Sequence, residues 1–168
     1  MFTSDWLGVT HAQALRFFFE RLRDVTDGAA PPERELLYNA SVLAHFATTS
    51  TASRTNFPAS PVSLTTVFDL FVLDRSRHDD PEIMEAAAAQ CLILTGFFYD
   101  QLAHRHHMTW YATLGAGFYD SAAQLGTDPA RAAMMGVMAV RFDYWRRTQR
   151  RLSRDLRESR LLLADSEP

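Results

Sequence analysis

Along most of the chain apolar residues recur three and four positions apart, and no stretch bounded by turn residues alternates at two. The pattern therefore predicts helices and no strands, an all-α fold. Thr10 followed by Gln13 reads as a capping box that opens a first helix, whose stripe is Leu15, Phe18, Phe19, Leu22 and Val25 and which Gly28 ends. Pro31 and Pro32 suit the first turn of a second helix, buried along Leu36, Leu37, Ala40, Leu43 and Ala47. From Ser50 to Pro61 the run STASRTNFPASP has no usable period and is read as a loop, followed by a short helix around Leu64 to Leu73. Asp80-Pro81 and Asp128-Pro129 repeat one start signal, a carboxylate able to accept backbone N–H bonds before a proline with preset φ. Helices four and six begin there, and between them Thr109 caps a fifth that carries Tyr111, Leu114, Phe118 and Leu125 and stops at Gly126.

The last helix is read as running from Pro129 to about Leu163, on the order of 50 Å at about 1.5 Å per residue, so it must project from the bundle or bend. From Met138 a 4-3-4-3 spacing picks out Met138, Phe142, Trp145, Gln149, Leu152, Leu156, Ser159 and Leu163. Such a seam asks for one helix partner: the chain's own bundle, a second copy or another protein.

At 168 residues and 47% hydrophobic content, the expectation is one domain over residues 1–168, a bundle of about six helices with a long C-terminal helix at 129–163. The one cysteine, Cys91, lies in the apolar run AAAAQCLIL, which excludes a disulfide framework and suits a buried small side chain in a reducing compartment. The N-terminal MFTSDWLGVTHAQ lacks a basic segment followed by an apolar one, and Glu85 and Gln90 interrupt the longest apolar stretch. The expected location is cytoplasmic, with no membrane partner.

Charge sharpens this picture. All 17 basic residues are arginine, and eight of them fall between Arg141 and Arg160 beside only three acids, Asp143, Asp155 and Glu158. That window is strongly cationic, whereas the rest of the chain is acidic enough to bring the total to -3. A GC-rich genome accounts for the absence of lysine as readily as a physical demand does.

Candidate chemistry is densest from Leu92 to Ala123, LILTGFFYDQLAHRHHMTWYATLGAGFYDSAA. Asp100 and His104 stand four apart near the end of helix four, with His106 and His107 just beyond. His45 sits on the polar flank of helix two with Tyr38, Ser41, Thr48 and Thr49. His45, Asp100, His104 and His107 are thus the candidate ligands for a divalent metal, although no cofactor is expected and the paired Glu-x-x-His motifs of diiron bundles are absent. The plainer reading of Asp100 and His104 is an i,i+4 ion pair. Gly96, Gly115 and Gly117 disfavour a helix by up to about 1 kcal/mol each, which close helix approach would offset. The alternative is a small-ligand pocket lined by Phe97, Tyr99, Trp110, Tyr111 and Tyr119.

In the arginine window Trp145, Arg146, Arg147, Arg150, Arg151, Leu152, Arg154 and Leu156 are the candidate interface residues. Aromatics interleaved with arginine also suit nucleic acid, a reading that the acidic balance of the whole chain disfavours. There is no nucleophile elbow, glycine-rich phosphate loop or Cys-x-x-Cys pair.

The segments LLYNASVLAHF, ILTGFFYDQL and TWYATLGAGFYDSAA cover roughly half the chain. Their succession of a Tyr-bearing helix, a Gly-Phe-Phe helix and an aromatic, glycine-containing helix resembles a group of small bacterial all-helical proteins. Trp110-Tyr111 stands where that pattern has two tyrosines. The resemblance implies one compact domain with a characteristic corner between helices four and five, and brings no activity, ligand or site residue. The resulting expectation is a non-enzymatic adaptor or regulatory protein, a homodimer acting through protein–protein contact. A metal-dependent or small-ligand-processing helical enzyme using the His45, Asp100, His104 and His107 set is the first alternative, and nucleic-acid binding through the arginine-rich helix the second.

Overall fold

The computed structural model describes residues 10–26, 28, 30–52, 76 and 78–164. Among them are seven helices and no strand, so the fold is all-α. In chain order they are α1 (His11–Val25), α2 (Glu33–Ala52), α3 (Pro81–Thr95), α4 (Tyr99–Leu102), α5 (Met108–Leu125), α6 (Pro129–Val140) and α7 (Phe142–Ala164). Residues 53–61 of the expected loop and the short helix expected at 64–73 lie outside the described residues. The chain falls into two compact units, divided after Pro61.

In the first unit α1 packs against α2. Thr10 Oγ1 accepts from Gln13 N at 3.2 Å and Gln13 Oε1 accepts from Thr10 N at 2.9 Å, so two otherwise unpaired donors at the helix start are satisfied reciprocally. Gly28 follows at φ +71, a left-handed conformation that only glycine adopts without steric cost. Leu22 of α1 and Leu36, Ala40, Leu43 and Ala44 of α2 are buried. Leu37, assigned to the buried stripe from the sequence, is instead 48% exposed. One position in a helix turns a side chain by about 100°, and the inward line through Leu36, Ala40 and Leu43 leaves Leu37 outside it.

The second unit is built on α3. Asp80 Oδ1 accepts from Glu82 N at 2.9 Å and Pro81 stands at the first helical position, as the start signal implies. Met84, Ala87, Ala88, Cys91, Leu92, Ile93 and Leu94 are all buried, so α3 is apolar on nearly every side and acts as the central strut. Helix α5 packs along α3 on one side and receives α6 on another, while α7 touches α3, α5 and α6. No helix among the described residues is long and apolar enough to cross a membrane.

Helix α2 runs on to Ala52, three residues into the loop expected from Ser50, and three further boundaries differ from the sequence reading for a tertiary reason. Helix four does not continue to His104: α3 ends at Thr95, and Gly96 adopts φ -105 and ψ -83 before the single turn of α4. There the α7 backbone passes so close that a Cβ on Gly96 would stand 2.9 Å from the carbonyl oxygen of Arg146. Helix α5 starts at Met108 rather than after a Thr109 cap, and its N-cap His107 makes no side-chain hydrogen bond. Met108 is buried, so packing sets that end.

The long helix expected from Pro129 to Leu163 is two helices. They break at Arg141, whose φ of -99 and ψ of 16 redirect the chain although its N–H still reaches Val137 O at 2.9 Å. The break brings the Phe142 ring over Gly115, where a Cβ would meet Phe142 Cζ and Cys91 Cβ at 2.6 Å each. Gly115 therefore serves the close approach that its helical position implies, with α3 and α7 as the neighbours. Gly117 has nothing within 4 Å of its Cβ position.

Candidate functional site

Helix α7 is two-faced. Phe142, Trp145, Gln149 and Leu152 repeat at three and four and are buried, the last three completely. Away from that seam, Asp143, Arg146, Arg147, Arg150, Arg154 and Arg157 repeat with the same period and form one charged ridge, most exposed at Arg147 and Arg154 and largely covered at Arg146. Five guanidinium groups are thus interleaved with a single carboxylate of the same helix, and a second carboxylate comes from α4.

Asp143 holds the N-terminal end. Its Oδ1 accepts from Arg146 Nε at 2.7 Å, and Arg147 Nη2 stands 2.6 Å from Oδ2. One and two turns on, three arginines close on Asp100. Arg154 is bidentate, with Nε to Oδ2 at 3.0 Å and Nη2 to Oδ1 at 3.3 Å; Arg150 Nε donates to Oδ1 at 3.0 Å and Arg157 Nη2 to Oδ2 at 2.6 Å. With Arg150 Nη2 also 2.9 Å from Oδ1, five guanidinium nitrogens from three arginines surround one carboxylate. The Arg150 guanidinium also lies 3.8 Å from the centroid of the Tyr99 ring, a cation–π contact that fixes its plane.

The electrostatic consequence follows from this geometry. Hydrogen bonds from Arg154 above all, then from Arg157 and Arg150, hold the Asp100 carboxyl well below the usual carboxylate range and outweigh the opposing effect of desolvation. Asp100 in turn raises the pKa of Arg154. The carboxylate is therefore ionised across physiological pH, with both oxygens engaged by guanidinium groups.

Asp100 therefore does not form the i,i+4 pair with His104 that the sequence suggested. α4 ends at Leu102, so the helical spacing between them is lost, and the partners of Asp100 lie on α7 instead. His104 is exposed in the turn after α4, and His107 is exposed at the start of α5. The His106 ring meets Tyr111 edge-on at 6.2 Å. His45 is exposed on α2 in the first unit, where the flanking Ser41 and Thr48 hydroxyls donate to carbonyls of their own helix. Among the described residues no three His, Cys, Asp or Glu side chains come together in a way that would hold a metal ion.

The five aromatics read as a pocket lining make the following contacts. Tyr99 is stacked by Arg150, and Phe97 packs edge-on with Phe98 at 5.2 Å. Trp110, 43% exposed, and Tyr111 form an edge-to-face pair at 4.8 Å on the first turn of α5. Tyr119, more than two turns along the same helix, is completely buried with its ring 6.0 Å from that of Phe142.

The interface set divides by face. Arg146, Arg147, Arg150 and Arg154 lie on the ridge, Arg151 is exposed beside it, Leu156 is half-buried, and Trp145 and Leu152 point inward. Arg157 belongs to the ridge and was missing from the sequence-derived set. Its distance of three from Arg154, after the four between Arg150 and Arg154, was the available signal. Comparison with known proteins finds no matching family model, no matching curated protein and no matching solved structure.

Proposed function

We propose that the protein is a non-enzymatic adaptor or regulatory protein of the cytoplasm that binds an acidic protein partner through the arginine ridge of α7. The observation that carries the reading is the ridge itself: five arginines along one charged ridge of α7, balanced at hydrogen-bond distance by two carboxylates, Asp143 and Asp100. Such a face retains guanidinium forks, whose planar geometry matches carboxylates and which are favoured at protein interfaces. Arg147, at 71% side-chain exposure, projects furthest. Trp110 on α5 and Val140, 87% exposed at the end of α6, are large apolar side chains of the same unit left in solvent. A single buried free thiol at Cys91 is compatible with a reducing compartment.

The test is affinity capture followed by reconstitution from purified components, with wild-type protein and an Arg147→Glu/Arg151→Glu variant run side by side and masses determined on a size column. The expected result is a carboxylate-rich partner, or a second copy of the chain, that is retained by the wild type and lost on charge reversal. An association indifferent to both substitutions would sink the reading. So would stoichiometric metal in purified protein that disappears on His104→Ala or His107→Ala, which would favour the enzyme alternative. Retardation of duplex DNA that reversal abolishes, with no protein retained, would favour nucleic acid.

A further inference from the structure

A guanidinium group has two edges on which a planar oxyanion can be held: a side edge of Nε and Nη2, and an end edge of Nη1 and Nη2. Asp100 takes the side edge of Arg154 outright and meets that of Arg150 with Nε at 3.0 Å and Nη2 at 2.9 Å. Arg157 gives Nη2 to Asp100 and Nε to the Ser153 carbonyl at 3.3 Å. In all three the Nη1 group donates to no described residue. The side chains are 34%, 54% and 45% exposed, so solvent reaches them.

The charge at this point is not balanced. Three cations meet one carboxylate, and Glu158, the nearest acid along the face, acts on Arg154 at longer range without an ion pair to it. Asp143 is already held by Arg146 and Arg147. Arg151 and Asp155 flank the ridge, and His104 is exposed in the turn that follows α4. The cationic surplus suits an additional oxyanion at this point. A tetrahedral phosphate offers more oxygens than a carboxylate, enough to meet donors from three neighbouring forks.

We propose that Arg150, Arg154 and Arg157 form a binding site for a phosphate group, held by their unused Nη1 edges beside Asp100, which acts as the resident competing anion. The site does not depend on the protein partner proposed above: phosphate binding is read on the isolated chain, and failure of partner capture leaves it standing. The source of the group is either free phosphate or the headgroup of an anionic lipid.

The experiment follows the arginine Nε–Hε resonances of the 15N-labelled full-length chain during titration with inorganic phosphate, with ionic strength held constant by chloride. The expected result is a saturable shift confined to Arg150, Arg154 and Arg157, with exposed Arg16 and Arg34 unmoved. Asp100→Asn should tighten binding at least tenfold. Arg154→Lys, which keeps the charge and the helix but removes the fork, should weaken it at least tenfold. Binding to phosphatidic-acid vesicles that inorganic phosphate displaces identifies a lipid source, and the same saturable shift without vesicle binding identifies a free one. Linear shifts shared by all exposed arginines overturn the proposal, because they report screening alone. An affinity unchanged by Arg154→Lys and Asp100→Asn overturns it too, as does vesicle or DNA binding with no response to inorganic phosphate.

Discussion

The Phe142 ring fills the space that a side chain on Gly115 would need, with Phe142 Cζ 2.6 Å from the Cβ position and Cys91 Cβ equally close on the other side. Three helices, α3, α5 and the start of α7, meet at this one hydrogen atom. Their junction fixes where α7 begins, and so where its ridge stands relative to Asp100.

Replacing Gly115 by alanine must push Phe142 or α3 aside. Overpacking of this kind costs about 1–3 kcal/mol, more than the gain of up to about 1 kcal/mol in helix propensity. Gly117, two residues on, is exposed and has nothing within 4 Å, so Gly117→Ala should be neutral or stabilising by up to about 1 kcal/mol. Urea unfolding of the two variants against wild type measures the contrast. Equal effects would mean that Gly115 does not serve close packing.

Asp100 makes stability depend on pH with a definite sign. Its folded pKa is depressed, mainly by Arg154, so its contribution is fully present above the unfolded carboxylate value of about 4 and is lost as pH falls toward the folded one. The difference in stability between wild type and Asp100→Asn should therefore be constant from pH 7 down to about 5 and shrink below about 4. Because the arginines are partly exposed, the difference should also narrow when salt is added. Melting curves across pH and ionic strength measure both. A difference that grew on acidification would contradict the assigned cause.

The features that sequence revealed are local, and those it concealed are set at a distance. The Thr10–Gln13 box and the Asp80-Pro81 and Asp128-Pro129 starts are legible because a cap and its donors lie within three residues. The break at Arg141 carries no glycine or proline; the turn is dictated by where Phe142 packs. Leu36 and Leu37 are chemically equivalent neighbours, and only the position of α1 decides which is buried. The grip on Asp100 joins residues 50, 54 and 57 positions apart. Nothing near Asp100 announces it, and the adjacent histidines drew the reading toward a local pair. The 150, 154, 157 spacing shows that three arginines share a face, without showing what they face.

Cys91 is expected to be chemically silent. Burial pushes its thiol up to about 12, so almost no thiolate exists at pH 8, and Cys91, one turn from the end of α3, has no exposed surface. A thiol-specific reagent should leave the native protein unlabelled over hours and label it stoichiometrically in denaturant. Fast labelling of native protein would show that α3 opens locally, or that it is less central to the core than its burial indicates.

The two faces of α7 should separate stability from binding. Trp145 is completely buried, and its truncation to alanine should cost about 3–5 kcal/mol through lost burial and the cavity left behind. Arg147 is held only at the surface by Asp143, so Arg147→Ala should change stability by no more than about 0.5 kcal/mol. If the outward ridge is what partners recognise, Arg147→Ala weakens association while the melting temperature stays within a degree or two, whereas a conservative change inside, such as Leu152→Met, leaves association unchanged. Denaturant unfolding and partner titration on the same preparations give both readings. A folded Leu152 variant that lost binding while Arg147→Ala retained it would place recognition on the inward face and reverse the assignment of the helix's two sides.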